Sequence, residues 1–282
     1  MIKLENMIKN YDHFNCDISI HIPAGKVSGL VGINGAGKST TIKAILGLIK
    51  IDGGSVTTLG KDSKTLQGSD KENIGVVLSD SDFSTYLNVK DVISILKNSY
   101  TNFNEEMFVS LCQKYSLPFD GKIKDFSTGM KARLKVISAI THDADLLIMD
   151  EPTAGLDVIA RNEILDMLRD YLAENERRSM LISSHISSDL EGICDDIYLI
   201  DKGKIILHED TDVLLEKYGL LKVNDEVYSQ IDKEYLISVK KEVYGYSCFT
   251  NQKQFYVENY PQIVIEPANI DEMIIMMSGG NK

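Results

Sequence analysis

Short apolar runs and stripes of helical spacing alternate along most of the chain. The run KVSGLVG (26–32) is almost continuously apolar, and from about 39 to 50 the apolar residues recur at helical spacing. The segment DLLIMD (145–150) is apolar between its two acids, as expected of a strand buried on both faces. A helical pattern at about 158–174 and a further apolar run at 180–184 continue the series. This alternation predicts an α/β fold with a doubly wound parallel sheet.

Three parts of the chain depart from this alternation. Residues 1–31 consist of short β-like runs separated by turns, and from about 83 to 140 the pattern is mainly helical. The last part is richer in β-like runs, and YLISV, YSCF, QFYVE and QIVIE are expected to be strands. A final apolar helix is expected from about Asn269 and should pack on the rest of the protein. We therefore predict a domain at 1–215 with a helical insertion, and a small α+β appendage at 216–282.

Composition and charge narrow the class of protein. The chain has 282 residues, of which 43% are hydrophobic, so it can build its own core and is neither disordered nor a small disulfide-stapled scaffold. Its net charge of −12 argues against nucleic-acid binding through a basic face. The four cysteines show no CxxC spacing, so neither a zinc site nor a disulfide framework is indicated. No apolar run approaches the roughly 20 residues that cross a bilayer, and no secretory signal is recognisable, so we expect a cytoplasmic location.

Residues 32–39 (GINGAGKS) fit the phosphate-binding pattern G-x-x-x-x-G-K-S/T between a predicted strand and a predicted helix. Glycines at this spacing let successive backbone N–H groups turn toward phosphate oxygens, and the helix directs its positive end at the same anion. Lys38 is then expected to hold the β- and γ-phosphates of a nucleotide, and the Ser39 hydroxyl to bind Mg²⁺. The alternative is a glycine-rich turn that matches by accident, which the strand–loop–helix context disfavours.

Two acids end the apolar run 145–150. An unpaired carboxylate at the end of a buried strand would cost several kcal/mol, so Asp150 is expected to lie near a cation, and Mg²⁺ would supply it. Glu151, one residue further, could then polarise a water in line with the γ-phosphate as general base. The alternative is that both acids only cap the following helix, which the phosphate loop upstream disfavours.

Two further motifs complete a family resemblance. FSTGM (126–130) and His185, which follows a pair of serines, occur together with the phosphate loop and the acidic strand end in the order found in ATP-binding subunits of ABC transporters. The first 215 residues resemble this family. The resemblance implies a P-loop NTPase sheet with a β-rich N-terminal subdomain and a helical insertion. It also implies an ATPase that powers a separately encoded membrane protein, as in bacterial exporters of peptide antibiotics and other small molecules.

The resemblance implies roles for individual residues. Those implied to bind ATP are Tyr11, Gly32, Asn34, Gly35, Ala36, Gly37, Lys38, Ser39 and Thr40. Tyr11 would stack on adenine, unless it is an ordinary strand tyrosine. Glu151 and His185 would be catalytic, with the histidine contacting the γ-phosphate, and Asp157 would lie in a loop at a dimer interface. Ser39 and Asp150 would hold Mg²⁺.

The resemblance also implies partners. In the family, two subunits enclose two ATP molecules, each between the phosphate loop of one chain and the signature loop of the other. The signature residues implied here are Ser127, Thr128, Gly129 and Met130, which depart from the common form LSGGQ. We therefore expect a homodimer or a pairing with another ABC subunit. We also expect a polytopic membrane subunit that holds the chain on the inner face of the cell membrane, and no nucleic-acid partner.

One departure from the family concerns coupling to the membrane subunit. The strand NIGVVL (73–78) is followed by Ser79, where the family usually has glutamine. We expect looser communication with the membrane partner here, unless Asp80 or Asp82 substitutes or a water bridges the gap. The insertion carries four aromatic residues that are expected to be exposed, Phe83, Tyr86, Tyr100 and Phe103. They either dock the membrane subunit or pack the insertion's own core.

Two functions of other classes are open at this point. One is an ABC ATPase that acts on a soluble assembly, such as the ribosome or DNA, although the chain has neither tandem ATP domains nor long coiled coils. The other is a regulatory module that binds ATP without hydrolysing it. The intact set of Lys38, Ser39, Asp150, Glu151 and His185 disfavours the second alternative.

Overall fold

The computed structural model describes residues 1–267 and 269–278. The strands are β1 (Ile2–Tyr11), β2 (Phe14–Ile22), β3 (Val27–Val31), β4 (Gly53–Thr58), β5 (Lys61–Asp62), β6 (Ile74–Val77), β7 (Leu146–Asp150), β8 (Ser179–Ser184), β9 (Asp196–Asp201), β10 (Lys204–Asp210), β11 (Gly219–Val223), β12 (Leu236–Glu242), β13 (Gly245–Thr250) and β14 (Val264–Pro267). The α-helices are α1 (Lys38–Ile45), α2 (Gly68–Lys71), α3 (Val89–Ser99), α4 (Glu105–Lys114), α5 (Thr128–Ile140), α6 (Val158–Ala173), α7 (Ser187–Glu191), α8 (Thr211–Lys217), α9 (Asp225–Gln230), α10 (Lys253–Asn259) and α11 (Ile270–Ser278).

The central sheet has the strand order β10-β9-β3-β8-β7-β6. Its strands run parallel except for β10, which pairs antiparallel with β9. Both faces of β7 and β8 are buried, which explains why their sequences are nearly continuous apolar runs. The prediction of an α/β fold with a doubly wound sheet is confirmed. In such a sheet, ligands bind beyond the carboxyl ends of the strands, so the loops after β3, β6, β7 and β8 share one edge.

A second, antiparallel sheet with the order β2-β1-β4-β5 covers one face of the central sheet. Alternate residues of β2 are buried, which is the period-2 pattern of a strand with one covered face. These residues join α1 and the buried side chains of the central strands in one apolar core. The β-rich N-terminal region therefore holds the phosphate loop and α1 in place.

Helices α3, α4 and α5 form the helical insertion between β6 and β7. They pack their apolar faces into the core on the other side of the central sheet. Of the four aromatic residues that the sequence singles out in the insertion, Phe83, Tyr100 and Phe103 are half-buried and packed against this core, so the expectation that they are exposed is wrong, whereas Tyr86 is 80% exposed. Tyr100 also stacks on the buried ring of His142, with the ring centroids 3.9 Å apart. Most of the insertion's aromatics therefore pack the protein's own core.

The appendage is built on a sheet with the order β12-β13-β11-β14. One face, through Leu220 and Phe249, joins the core of the main domain, and the other face packs on helices α9 and α10. Helix α11 buries most of its apolar residues in the main core, and the backbone N–H of Ile270 donates to Glu191 on α7. The final helix thus packs on the protein as expected. None of the described helices has the length and apolarity that a bilayer span requires.

The interpretation of QFYVE as a strand is wrong, because these residues lie in α10. Aromatic residues favour strands, but packing overrides that preference here. Tyr256 is fully buried and its hydroxyl donates to the carbonyl of Asp232 at 2.7 Å. The rings of Phe255 and Tyr260 pack around it, which places the aromatic residues on one side of a helix.

Replacement of Phe249 by alanine should destabilise the whole protein. Its ring is fully buried, with its centroid 5.6 Å from that of Tyr218, and it joins the appendage to the main core. We expect a loss of about 3–5 kcal/mol in the free energy of unfolding, measured by urea denaturation. The matched control is Tyr244→Ala at the β12–β13 turn, where the ring is 92% exposed, and its effect should stay within about 0.5 kcal/mol. Equal effects of the two substitutions would contradict this packing role.

Candidate active site

The phosphate loop connects β3 to α1 in the conformation that its glycines require. Gly37 precedes α1 with φ +118°, a backbone conformation that residues with a Cβ rarely adopt. At Gly32 a Cβ would lie 2.3 Å from the carbonyl oxygen of Ile200, so no side chain fits. Ala36 is buried beneath the loop, whereas Asn34 and Gly35 are exposed above it. The loop therefore leaves the backbone N–H groups at the start of α1 free to meet an anion.

Lys38 is almost fully buried at the base of this loop. Its ammonium donates to the carbonyl of Gly32 at 2.7 Å and lies 3.2 Å from Oε1 of Glu151. A buried ammonium with a carbonyl on one side and a carboxylate on the other is held at a fixed point at the mouth of the loop. The Lys38 ammonium, which the sequence predicts to bind phosphate, is thus held in place at the phosphate loop by the protein's own groups.

Asp150 ends β7 with its carboxylate 2% exposed, and both of its oxygens accept hydrogen bonds. Oδ1 accepts from the hydroxyl of Ser183 on β8, and Oδ2 from the hydroxyl of Ser79 after β6, each at 2.7 Å. The ends of three neighbouring strands therefore meet at one carboxylate. The Ser79 hydroxyl reaches this carboxylate because β6 ends next to the end of β7.

Glu151 and His185 form a close pair. The Nδ1 atom of His185 lies 2.5 Å from Oε2 of Glu151. Glu151 has φ +52°, and its backbone N–H donates to the carbonyl and the hydroxyl of Ser183. This strained turn aims the glutamate away from Asp150 and into the cleft, as a residue in an unusual backbone conformation at a functional site often does. The carboxylate lies between the Lys38 ammonium and the His185 ring.

A cleft of about 770 Å³ brings most of the sequence-predicted nucleotide site together. It is lined by Tyr11, His13, Phe14, Asn34, Gly35, Gly37, Lys38, Ser39, Thr40, Ser79, Glu151, Ala154 and His185. Tyr11 lies at the end of β1, half exposed, with its ring centroid 6.4 Å from that of Phe14. His13 and Phe14 did not emerge from sequence reasoning. The sequence feature that points to them is their position at the same β1–β2 turn as Tyr11.

The signature residues and Asp157 lie on a different surface. Among the described residues, those that line the cleft do not include Ser127 or Asp157. Ser127 precedes α5 and its hydroxyl accepts from the N–H of Met130, while Asp157 precedes α6 and accepts from the N–H of Ala160. Helices α5 and α6 pack side by side, with Arg133 Nε donating to Glu163 at 2.7 Å. Both helix starts therefore face the same side of the protein.

The remaining signature positions follow from this packing. Thr128 is exposed at the start of α5, and Gly129 and Met130 are partly buried. A Cβ at Gly129 would lie 3.3 Å from that of Ala160 on α6, closer than most such contacts. The small residue thus allows the signature helix to approach α6.

The loop after β6 is held by two further ion pairs. Asp80 accepts from Lys43 on α1, and Asp82 pairs with Lys135 on α5, each at 2.6 Å. The Lys43 ammonium holds the pKa of the Asp80 carboxyl below its usual value. Asp80 and Asp82, the two residues considered as substitutes for glutamine at position 79, are thus each paired with a lysine of a neighbouring helix in this structure.

The donor set around Asp150 fits Mg²⁺. This ion prefers carboxylate and hydroxyl oxygens, together with substrate phosphates and water. Asp150 offers a carboxylate whose orientation is fixed by two serines, and Ser39 offers a hydroxyl at the start of α1 in the same cleft. The two hydrogen bonds to its oxygens come from hydroxyl groups.

Comparisons with known proteins agree with this geometry. The family model described as ABC transporter matches residues 16–154. The chain is 34% identical to the lantibiotic transport ATP-binding protein SrtF of Streptococcus pyogenes, over 75% of this chain and 92% of that protein. It is 28% identical to the ABC transporter ATP-binding protein YtrB of Bacillus subtilis (strain 168), over 100% of this chain and 99% of that protein. The fold resembles a solved ATP-binding subunit of an ABC transporter, with a TM-score of 0.67, 24% identity and coverage of 76% of this chain and 91% of that one.

Replacement of Lys38 by alanine should weaken ATP binding by about 10- to 100-fold, because one charge-assisted contact to phosphate is lost. Isothermal titration with ATP measures the change. The matched control is Lys43→Ala, which removes a lysine from the same helix that pairs with Asp80 outside the cleft lining. Its ATP affinity should stay within about threefold of the parent. Equal affinities of the Lys38→Ala variant and the parent chain would contradict the assignment.

Proposed function

Because the chain belongs to the family of ABC transporter ATP-binding proteins, we propose that it powers a separately encoded membrane transporter, and that this transporter is an exporter. The chain is an ATP-binding subunit of this family and an ATPase. The observation that carries the proposal is the carboxylate of Glu151, held between Lys38 and His185 at the mouth of the phosphate loop. The likeness to a lantibiotic transport protein supports the choice of an exporter.

Each group of residues in the cleft has its own role in ATP hydrolysis. The N–H groups of the phosphate loop and the Lys38 ammonium bind and orient the β- and γ-phosphates. Ser39 and Asp150 would hold Mg²⁺, which would supply positive charge to offset the charge on the phosphates. Glu151 accepts a proton from the attacking water, and its contact with His185 keeps its carboxylate aimed at that water. Tyr11 provides an aromatic face for the adenine ring.

A second ABC subunit completes the site in this proposal. The start of α5 at Ser127 directs its free N–H groups and positive helix end outward, where a partner's γ-phosphate can meet them. Near Asp157 on the same surface, Val158 and Ile159 are 65% and 72% exposed. Exposed apolar residues of this kind are typical of a surface that is covered by a partner. A homodimer or a pair with a related subunit would bury them.

The membrane subunit would hold the chain at the inner face of the cell membrane. We place its docking site at the insertion, next to a cavity of about 230 Å³ between β6, α3 and α5. Phe83, Tyr100 and Lys135 are among the residues that line this cavity. The exposed ring of Tyr86 belongs to the same segment of chain. The loop that carries Ser79 connects this region to Asp150, so docking and the nucleotide site share one segment.

The Glu151→Gln variant should accumulate as an ATP-bound dimer. Glutamine has nearly the same shape but cannot accept the proton, so binding proceeds and hydrolysis stops. Size-exclusion chromatography with light scattering in Mg-ATP should show the mass of two chains, with ATP retained in the peak. The control is Glu174→Gln, whose carboxylate at the end of α6 contacts Arg178 outside the cleft lining. A Glu151→Gln chain that stays monomeric in saturating Mg-ATP would contradict the dimer scheme.

The Glu151→Gln chain should also copurify with a polytopic membrane protein. A tagged chain is isolated from native membranes in mild detergent with Mg-ATP, and its partners are identified by mass spectrometry. A membrane protein encoded near this chain would support the transporter, and ATP-dependent uptake into inverted vesicles would support export. Ribosomal or DNA-bound partners would contradict the proposal and favour an ABC ATPase that acts on a soluble assembly.

A further inference from the structure

A buried aspartate lies behind the proposed catalytic pair. Asp189 on α7 is 1% exposed, and its Oδ2 accepts from the hydroxyl of Thr153, itself buried, at 2.6 Å. Its other oxygen lies 3.6 Å from Nε of Arg161 on α6. None of these three residues lines the cleft among the described residues. The cluster, which we call the Asp189 cluster, therefore acts on the site only through the chain segments that it connects.

These segments each carry a residue of the proposed site. Thr153 follows Glu151 by two residues, within the turn closed by the hydrogen bond from the N–H of Ala154 to the carbonyl of Glu151. Asp189 follows His185 by four residues. The third segment is the first turn of α6, where the N–H of Arg161 donates to the carbonyl of Asp157. One carboxylate thus joins the segments that carry the glutamate, the histidine and the proposed dimer loop.

A buried carboxylate is costly unless its oxygens are satisfied, and removal of a partner leaves an uncompensated charge. Asp189 meets this cost with one short hydrogen bond and one nearby guanidinium, drawn from two different segments. A substitution of Thr153 or Asp189 that removes their hydrogen bond would let the turn after Glu151 and the turn after His185 move independently. The 2.5 Å contact between these two residues depends on the relative position of the same turns.

We propose that Asp189 is a positioning residue for ATP hydrolysis, which holds Glu151 and His185 in register by binding Thr153 and Arg161. The proposal rests on the proposed roles of Glu151 and His185. It extends them, because the cluster also links the catalytic pair to the Asp157 loop at the proposed dimer interface.

The test uses two nearly isosteric substitutions in the full chain. Asn at position 189 has one accepting oxygen, so its amide N–H₂ must face either the Thr153 hydroxyl or the Arg161 guanidinium. Thr153→Val removes the hydroxyl donor at almost constant volume. Each change should lower kcat by about 10- to 100-fold, because small displacements of reacting groups have effects of this size. The KM for ATP should stay within about threefold, since the phosphate loop is untouched. Thr153→Ser keeps the hydroxyl and should restore kcat.

A matched control separates positioning from stability. Asp196→Asn changes an equally buried aspartate, paired with His208 at 3.1 Å, at the amino-terminal end of β9 and thus at the opposite edge of the sheet. Its kcat should match the parent even where its melting temperature falls. Asp189→Asn should lower kcat at temperatures well below its own melting temperature. A loss of kcat that follows the melting temperature equally in both variants would overturn the proposal.

A double-mutant cycle gives the decisive result. In a His185→Ala background, Asp189→Asn should lower kcat by less than about twofold further, because the contact that it positions is already lost. If the double variant loses kcat by the product of the two single-variant factors, the two residues act independently and the inference is overturned. If kcat falls in the His185→Ala variant but not in the Asp189→Asn variant, the positioning role of Asp189 is refuted and the proposed role of His185 stands. Parent-like activity of His185→Ala would refute the proposed role of the histidine, and the positioning role with it.

Discussion

The structure depends on a carboxylate that is buried at the end of a strand and is satisfied there by hydrogen bonds. Asp150 is enclosed by the ends of β6, β7 and β8, and a charge in that position is stable only if hydrogen-bond donors surround it. Ser79 and Ser183 provide those donors from the strands on either side. The parallel register of the three strands is what brings them to one point. The fold and the proposed metal site therefore rest on the same requirement.

Glu151, the residue after Asp150, connects this strand end to further parts of the protein. Glu151 turns away from Asp150 through a left-handed backbone conformation, which directs its carboxylate to Lys38 and His185. The segments beyond Glu151 and His185 meet again at Asp189, below the surface of the cleft. Short connections at one sheet edge thus position groups that are far apart in sequence. The proposed reaction needs this rigidity, because the water, the base and the phosphate must align.

The sequence allowed the fold class and most of the cleft to be predicted, because the phosphate loop and the acidic strand end are local patterns with a fixed spacing. Contacts that depend on strand register were not predictable. The hydrogen bond from Ser79 to Asp150 depends on where the neighbouring strand ends, which the length of the serine side chain alone does not indicate. QFYVE was assigned to a strand because the packing of Tyr256 on the appendage sheet leaves no local signal. Asp189 belongs to no motif, and only the folded chain brings it to Thr153.

The hydroxyl of Ser79 ties the loop that leads into the insertion to the Asp150 carboxylate. A glutamine at this point, the usual residue in the family, would extend into the cleft, whereas the serine hydroxyl binds the Asp150 carboxylate itself. The same loop is tied to α1 through Asp80 and to α5 through Asp82. The insertion is therefore connected to the carboxylate, the phosphate-loop helix and the signature helix by three polar contacts. Two of these are partly exposed ion pairs, which salt weakens, whereas the hydrogen bond from Ser79 ends on a buried carboxylate, so it is the contact that salt affects least.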